Sequence, residues 1–259
     1  MSLLSKDIIT EVKKLLEAHK RRNNPFIALS TVELPLDTKR GIAKALYDFF
    51  ISEAKRKLEE KKENEIWISD LVLCPLRTEL REMYPELSLI PKPNLLLGSL
   101  VHLGIRFIAA ACGLDYEVPI SKEISINGKR YILKGRIDLY SPDDNILWEL
   151  KTARETFSIP HPHHILQVYL YKIMVNAEEA RIIYVAPDRV CEVPVSEADM
   201  IVAMGKIVSA EGISERKLIE TLVDIHINKK KVPLWDWECE GYCPFRQFCP
   251  RYVKKVRGK

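Results

Sequence analysis

The sequence contains only two glutamines, Gln167 and Gln247, among its 259 residues. Its longest apolar runs, such as FIAAACGL at 107–114, fall far short of the roughly 20 residues that a membrane-spanning helix needs. The first residues, MSLLSKDIITEVKK, show no basic segment followed by an apolar one, as a secretory signal would. We therefore expect a cytoplasmic protein without a membrane partner. The scarcity of glutamine beside plentiful Lys, Glu and Ile indicates a thermophilic source.

The composition excludes both a disordered chain and a strong polycation. Hydrophobic residues make up 47% of the chain and charged residues 29%, which is typical of a globular protein. The formal net charge is only +4, although basic clusters occur at 19–22 (HKRR) and 251–259 (RYVKKVRGK). Such clusters either meet nucleic-acid phosphates or form solvated helix faces and tails, and charge alone does not separate the two.

Hydrophobic periodicity predicts an α/β domain with a helical N-terminal region. Residues 1–63 carry two stretches of helical spacing, and we predict that they pack on a core formed by residues 64–259. In the core, EVPISKEISI, KRYILKGRIDLY and ILWELKTA predict strands, the first two joined by an Asn127-Gly128 hairpin. NLLLGSLVHLGIRFIAAACG predicts a buried helix, and one long helix is expected over about 196–229.

Three charged residues lie where two of the predicted strands adjoin. Glu149 and Lys151 alternate along one strand and therefore share a face, and the SPDDN turn brings Asp138 alongside Glu149. Two converging carboxylates repel each other unless a cation lies between them, and Mg²⁺ or Mn²⁺ is commonly held by one or two carboxylates. With a lysine beside them, the pattern is typical of a metal-dependent phosphodiesterase. The alternative is a cross-strand salt bridge.

Two further features bear on this choice. His102 lies within an apolar helix, where it is either a hydrogen-bonded core residue or a third metal ligand through neutral imidazole. Gln167 and Tyr171 are spaced i and i+4 on the helix after the Glu-x-Lys strand, so both project from one face. They form either an incidental polar pair or a pair that faces the metal site.

The C-terminal tail concentrates three cysteines, Cys239, Cys243 and Cys249, within eleven residues. Disulfides are disfavoured in an intracellular chain, so a metal site is the better interpretation, and Cys74 is the best candidate for a fourth ligand. Four cysteines fit either Zn²⁺ or an iron–sulfur cluster. Of the remaining thiols, Cys112 in the apolar AAAC is expected to be a core residue, and Cys191 on a predicted strand is expected to be structural.

The order of these motifs resembles the RecB-like branch of the PD-(D/E)xK nucleases, and within it the CRISPR-associated exonuclease family Cas4. The resemblance spans residues 74–249 and departs from the superfamily pattern in having Ile137, not proline, before the acid. It implies a restriction-endonuclease-like α/β core, in which a mixed central sheet is flanked by helices, with a helical N-terminal region and a Cys-rich C-terminal tail.

The resemblance also implies roles for the site residues. His102, Asp138 and Glu149 would bind Mn²⁺ or Mg²⁺, with the Leu150 backbone carbonyl as a further ligand, and Lys151 would be the catalytic lysine.

Two more motifs carry over from the family. Gln167 and Tyr171 would match its QxxxY motif. The cluster-binding thiols would hold a 4Fe–4S cluster, with structural Zn²⁺ as the alternative; they are Cys74, Cys239, Cys243 and Cys249.

The activity implied by the family is exonuclease cleavage of single-stranded DNA, chiefly from 5′ to 3′, in trimming new spacers for the CRISPR integrase complex. One alternative is an iron–sulfur nuclease subunit of a recombination or repair helicase-nuclease. The chain has no G-x-x-x-x-G-K-[ST] motif, so the helicase would be a separate chain. Another is a catalytically silent subunit that binds DNA ends, against which the intact Asp–Glu-x-Lys set argues.

Overall fold

A computed structural model describes most of the chain beyond residue 63. The described residues are 48, 49, 51, 52, 55, 64–88, 93–126, 128–240 and 243–252. Residues 48, 49, 51, 52 and 55 are helical, and the rest of the predicted N-terminal helical region lies outside the described residues.

One mixed sheet of six strands organises the fold. Its order is β1-β3-β4-β5-β6, with β2 paired along β3. β1 is parallel to β3 and β4 is parallel to β5, whereas the β2–β3, β3–β4 and β5–β6 pairs are antiparallel. The strands are β1 (Glu65–Trp67), β2 (Asp115–Ile126), β3 (Lys129–Ser141), β4 (Ile146–Thr152), β5 (Glu179–Val185) and β6 (Val190–Pro194).

Helices flank this sheet, so the predicted mixed α/β architecture is confirmed. They are α1 (Ile68–Leu71), α2 (Pro75–Met83), α3 (Pro85–Ser88), α4 (Pro93–Ala111), α5 (Pro162–Val175), α6 (Glu197–Gly205) and α7 (Glu215–Asn228). Two 3₁₀ turns follow in the tail, Asp236–Cys239 and Arg246–Phe248. No helix in the described part of the chain combines the length and the apolarity needed to cross a membrane.

Two predicted helices differ from the structure. The single helix expected over 196–229 is two helices, because Ser214 caps a second one after Gly212 takes a left-handed conformation. The helix expected to be buried, α4, instead exposes large apolar side chains such as Leu97 and Ile108 to solvent.

The core is densest around α5. Residues 165–171 of this helix are all buried, because α5 lies between the sheet and α6. Leu166 and Leu170 have no exposed surface and belong to the same core cluster as Ile182 and Tyr184 of β5. A polar residue within this stretch of α5 must therefore find its hydrogen bonds inside the protein.

Candidate active site

The site lies at a fork in the sheet. One edge of β3 pairs with β2 along most of its length, while the other edge is shared between β1, at 132–134, and β4, at 139–141. The pairing of β3 with β4 therefore ends before it reaches Asp138 and Glu149, and the opening between the two strands at these residues is called the fork. The N–H of Leu150 donates instead to Asp138 Oδ2 at 2.8 Å, so the carboxylate takes the place of a strand partner.

A hydrogen-bond network joins β4 to α5 beside the fork. Lys151 Nζ donates to Glu149 Oε1 at 2.6 Å and to Gln167 Oε1 at 3.0 Å. The amide nitrogen of Gln167 donates to Glu149 Oε1 at 2.7 Å and to the Tyr171 hydroxyl at 3.1 Å. The structure thus brings the Glu-x-Lys pair and the Gln-Tyr pair into one network, in which Gln167 fixes both the acid and the lysine.

Gly135 makes room for this network. A Cβ at this position would lie 2.5 Å from Cε1 of Tyr171 and 3.1 Å from Cγ1 of Ile120. The tyrosine ring therefore packs directly on the backbone of β3, which any side chain there would prevent.

The two carboxylates of the fork differ in their electrostatics. Burial, and then the nearby Asp138, raise the pKa of Glu149 to about 7. Burial also acts to raise the pKa of Asp138, but His102, the charge of Lys151 and the Leu150 N–H together outweigh it, and the pKa is lowered. His102 Nδ1 lies 3.5 Å from Asp138 Oδ1; burial acts to lower the pKa of the imidazole, but Asp138 and Glu149 together outweigh it and raise the pKa.

The donor set fits a divalent cation. Within the described residues, Glu149 Oε2 is buried and has no hydrogen-bond partner, although its environment is polar. A buried carboxyl oxygen left in this way is costly unless a proton or a cation binds it. The carboxyl groups of Asp138 and Glu149, together with the nearby His102 imidazole, form a donor set that suits Mn²⁺ or Mg²⁺, which prefer hard oxygen ligands.

Glu117 was missed by sequence reasoning. One ligand atom each from His102, Glu117 and Asp138 lie within 4.8 Å of one another. Glu117 lies on β2 between Tyr116 and Val118, which pair with Leu139 and Ile137 on either side of Asp138. No motif marks it, because it approaches Asp138 only through the β2–β3 pairing.

Sequence reasoning also missed three histidines at the start of α5, which form the run HPHH at 161–164. His164 Nδ1 lies 3.0 Å from the Tyr184 hydroxyl, and the ring of His163 packs 4.9 Å from that of Trp237. Burial lowers the pKa of His163 to about 3 and that of His164 well below its usual value. These imidazoles are therefore neutral at pH 7, and they lie between the Lys151 network and the C-terminal tail.

The tail is anchored at the start of α2, where Cys74 lies. Glu238 Oε1 accepts from the N–H of Cys74 at 2.7 Å, and Oε2 accepts from the N–H of Trp235 at 3.0 Å. The Trp235 indole donates to the carbonyl of Val72 at 2.7 Å. Glu238 is 3% exposed and had no sequence signal, yet it ties the tail to a segment that lies far earlier in the chain.

The predicted cluster cysteines approach one another in two pairs, Cys74 with Cys239 and Cys243 with Cys249, and Glu238 acts on one thiol of each pair. Burial, then Glu238, raise the pKa of Cys74 to about 12, and Cys239 is close enough to add to the effect. Burial also raises the pKa of Cys243, where Cys249 and Glu238 again contribute. The Cys74 and Cys243 thiols are therefore protonated at pH 7, and they would ionise only if a metal ion or cluster stabilised the thiolates.

The other two cysteines lie apart from this group. Cys191 is half-buried on β6, in keeping with a structural role. Cys112, which the sequence predicted to be a core residue, is exposed at the end of α4. The prediction was wrong because α4 turns its last residues toward solvent.

Known proteins resemble this chain in sequence and in fold. The CRISPR-associated exonuclease Cas4 of Saccharolobus solfataricus is 32% identical over 207 residues, which cover 76% of this chain and 95% of the relative. The crystal structure of SSO0001 superposes with a TM-score of 0.67 at 29% identity, covering 78% of this chain and 95% of that one. The likeness confirms the predicted RecB-like, restriction-endonuclease-like fold.

A weaker likeness is to a phage-related exonuclease from Haemophilus somnus 129PT, with a TM-score of 0.34 at 14% identity, covering 62% of this chain and 95% of that one. No protein-family model matches the chain.

Proposed function

The chain belongs to the CRISPR-associated exonuclease Cas4 family, and we propose that it is a metal-dependent DNA nuclease with its centre at the fork between β3 and β4. The observation that carries this proposal is the network in which Gln167 holds both Glu149 and Lys151 beside Asp138. We further propose that it acts as an exonuclease on single-stranded DNA, from 5′ to 3′, and trims DNA ends for the CRISPR integrase complex.

Four groups at the fork would hold the divalent cation: the side chains of His102, Asp138 and Glu149 and the backbone carbonyl of Leu150. A bound Mn²⁺ or Mg²⁺ supplies Lewis-acid stabilisation of the phosphodiester and acidifies a bound water. Asp138 is already oriented for this role, because one of its oxygens is fixed by the Leu150 N–H while the other faces His102.

Lys151 would act on the attacking water and on the phosphate. Its ammonium is held by Glu149 and Gln167 and is only 19% exposed, so its position depends on these two partners. A fixed cation there can orient a water molecule and offset the negative charge that develops on the phosphate. Tyr171 acts through Gln167, whose amide it orients from the following turn of α5.

The four tail-site cysteines would hold a 4Fe–4S cluster, which thiolate ligands bind. The support is the approach of Cys74 to Cys239 and of Cys243 to Cys249, together with the burial that disfavours bare thiolates at Cys74 and Cys243. Such a cluster would fasten the tail to the start of α2 and so close the domain behind the nuclease fork.

The nuclease proposal is tested with Asp138→Ala and Glu149→Ala on labelled single-stranded DNA with Mn²⁺. We expect each to lower kcat by at least about 100-fold, because each removes charge that binds the cation. Asp143→Ala is the matched control, since Asp143 lies exposed in the turn between the same two strands. Full activity in both site variants would contradict the proposal, and DNA labelled at the 5′ or the 3′ end reports the polarity.

The cluster proposal is tested by visible absorption and metal analysis of anaerobically purified protein. We expect about four irons per chain, colour that Cys243→Ser abolishes, and a lower Tm in that variant. Cys112→Ser is the control, since this thiol is exposed outside the tail site. A colourless protein with one zinc would support the structural-zinc alternative instead.

A further inference from the structure

Two arginines meet one glutamate beside the fork. The Arg106 guanidinium contacts Glu117 Oε1, and Arg136 Nε lies 2.5 Å from Glu117 Oε2. About a third of each arginine side chain is exposed, whereas the glutamate side chain is 16% exposed. Both carboxylate oxygens are therefore occupied, while the guanidiniums still reach solvent.

The arginines are placed by the same elements that carry the proposed metal ligands. Arg106 follows His102 by four residues on α4, so both project from the same face of the helix. Arg136 precedes Asp138 by two residues on β3, in the stretch between the positions that pair with β1 and with β4. The two guanidiniums therefore lie at the border of the fork.

The backbone at Glu117 is unusual. Its φ is +52°, in the left-handed region that a glutamate rarely adopts within a strand. Its neighbours Tyr116 and Val118 keep the regular pairing with β3, so the distortion is confined to this one residue. Such local strain persists where surrounding contacts enforce it, and it clusters at functional sites.

The charges around Glu117 bear on whether it is a metal ligand. Its carboxylate is close enough to His102 and Asp138 to be considered a metal ligand. However, two guanidiniums already neutralise it, and a divalent cation bound there would face both positive charges. The group Glu117, Arg106 and Arg136 carries a net positive charge, which attracts an anion and repels a cation.

We propose that Arg106 and Arg136 bind a phosphate of the DNA strand next to the phosphate at the metal centre, and that Glu117 positions the two guanidiniums for it. Guanidinium groups present paired N–H donors that match phosphate oxygens. Because the Nε of Arg106 is buried, the terminal nitrogens of its partly exposed guanidinium are the donors that would meet the phosphate. This inference rests on the proposed nuclease function, because only a DNA strand bound at the metal centre would place its next phosphate beside these arginines.

The test is fluorescence anisotropy with a labelled single-stranded oligonucleotide and the full chain in EDTA, so that no cleavage occurs. We expect Arg106→Gln and Arg136→Gln each to raise Kd by about 10-fold or more, since each removes a charge-assisted hydrogen bond to the phosphate. The slope of the logarithm of the association constant against the logarithm of the salt concentration should become shallower by about 0.7 for each phosphate that the variant no longer binds.

Arg130→Gln is the matched control. Arg130 also lies on β3 and contacts a glutamate of β2, Glu123, but both side chains are largely exposed and distant from the fork along the strands. We expect its Kd to change less than about 2-fold, as for surface charges outside the binding site. Should Arg136→Gln fail to fold, Arg106→Gln on the helix carries the test.

A second measurement distinguishes whether Glu117 is a metal ligand or positions the two arginines. In a Mn²⁺ titration followed by calorimetry, Glu117→Gln should bind Mn²⁺ as the unchanged protein does, whereas Asp138→Ala should not. Loss of Mn²⁺ binding in Glu117→Gln would overturn its assignment as a positioning residue.

The DNA measurements distinguish the inference from the function on which it rests. If the unchanged protein binds DNA and both arginine variants bind as tightly as Arg130→Gln, the phosphate site is refuted while the nuclease proposal stands. If the unchanged protein neither binds nor cleaves single-stranded DNA, both are refuted.

Discussion

Replacing Gly135 with alanine tests how the sheet positions the active-site network. The new methyl carbon would lie 2.5 Å from Cε1 and 3.1 Å from Cδ1 of Tyr171, both atoms of a rigid ring. Carbon atoms in optimal contact lie about 3.5–4.0 Å apart, so the ring must move by about 1 Å. The Tyr171 ring is 4% exposed within the main core, which leaves it little space for that shift.

The expected cost follows from this geometry. Overpacking a close-packed core costs about 1–3 kcal/mol. For a domain of this size about 1 kcal/mol corresponds to about 2–4 °C in Tm, so Gly135→Ala should lower Tm by roughly 2–12 °C. Activity should fall as well, because a displaced hydroxyl releases Gln167, which holds both Glu149 and Lys151.

The assay combines thermal unfolding with cleavage of single-stranded DNA. Gly104→Ala is the control, since a Cβ there would meet nothing within 4 Å and alanine favours a helix, so Tm should stay the same or rise. Tyr171→Ala removes the clashing ring, so adding Gly135→Ala to that variant should cost far less than it does in the unchanged protein. An unchanged Tm and activity in Gly135→Ala, or strict additivity in the double variant, would refute the reasoning.

Two further predictions concern buried carboxyl groups. Because burial and Asp138 raise the pKa of Glu149 to about 7 from 4.5, the folded metal-free protein holds a proton that the unfolded chain releases between these values. Stability should therefore fall as pH rises through this window, and Glu149→Gln should show a flatter dependence of Tm on pH in EDTA; equal slopes would contradict this. Glu238→Ala leaves the N–H groups of Cys74 and Trp235 without their acceptor, so we expect a loss of roughly 2–6 kcal/mol in denaturant unfolding; an unchanged midpoint would show that the tail is held by other interactions.

The motifs of the fork were readable from the sequence because their spacing is local. Strand alternation puts Glu149 and Lys151 on one face, and the i, i+4 spacing puts Gln167 and Tyr171 on one face of a helix. The mixed α/β class followed from hydrophobic periodicity in the same way. These patterns depend on neighbours within one strand or one helix, which the order of residues alone specifies.

The partners that meet across the fold were not readable. Glu117 reaches Arg106 and Arg136 only because β2 pairs with β3 and α4 packs beside them, and Glu238 reaches Cys74 only because the tail returns to the start of α2. The exposure of Cys112 likewise depends on where α4 ends relative to the sheet.

The residue order of this protein thus specifies its chemical groups and the faces they share, since these depend on backbone periods of 2 and 3.6 residues. How those groups are electrostatically tuned depends on burial and on partners distant in sequence. Glu149 illustrates the difference: its place beside Lys151 is local, but its raised pKa and an oxygen without a partner among the described residues arise from the fork that the folded sheet creates.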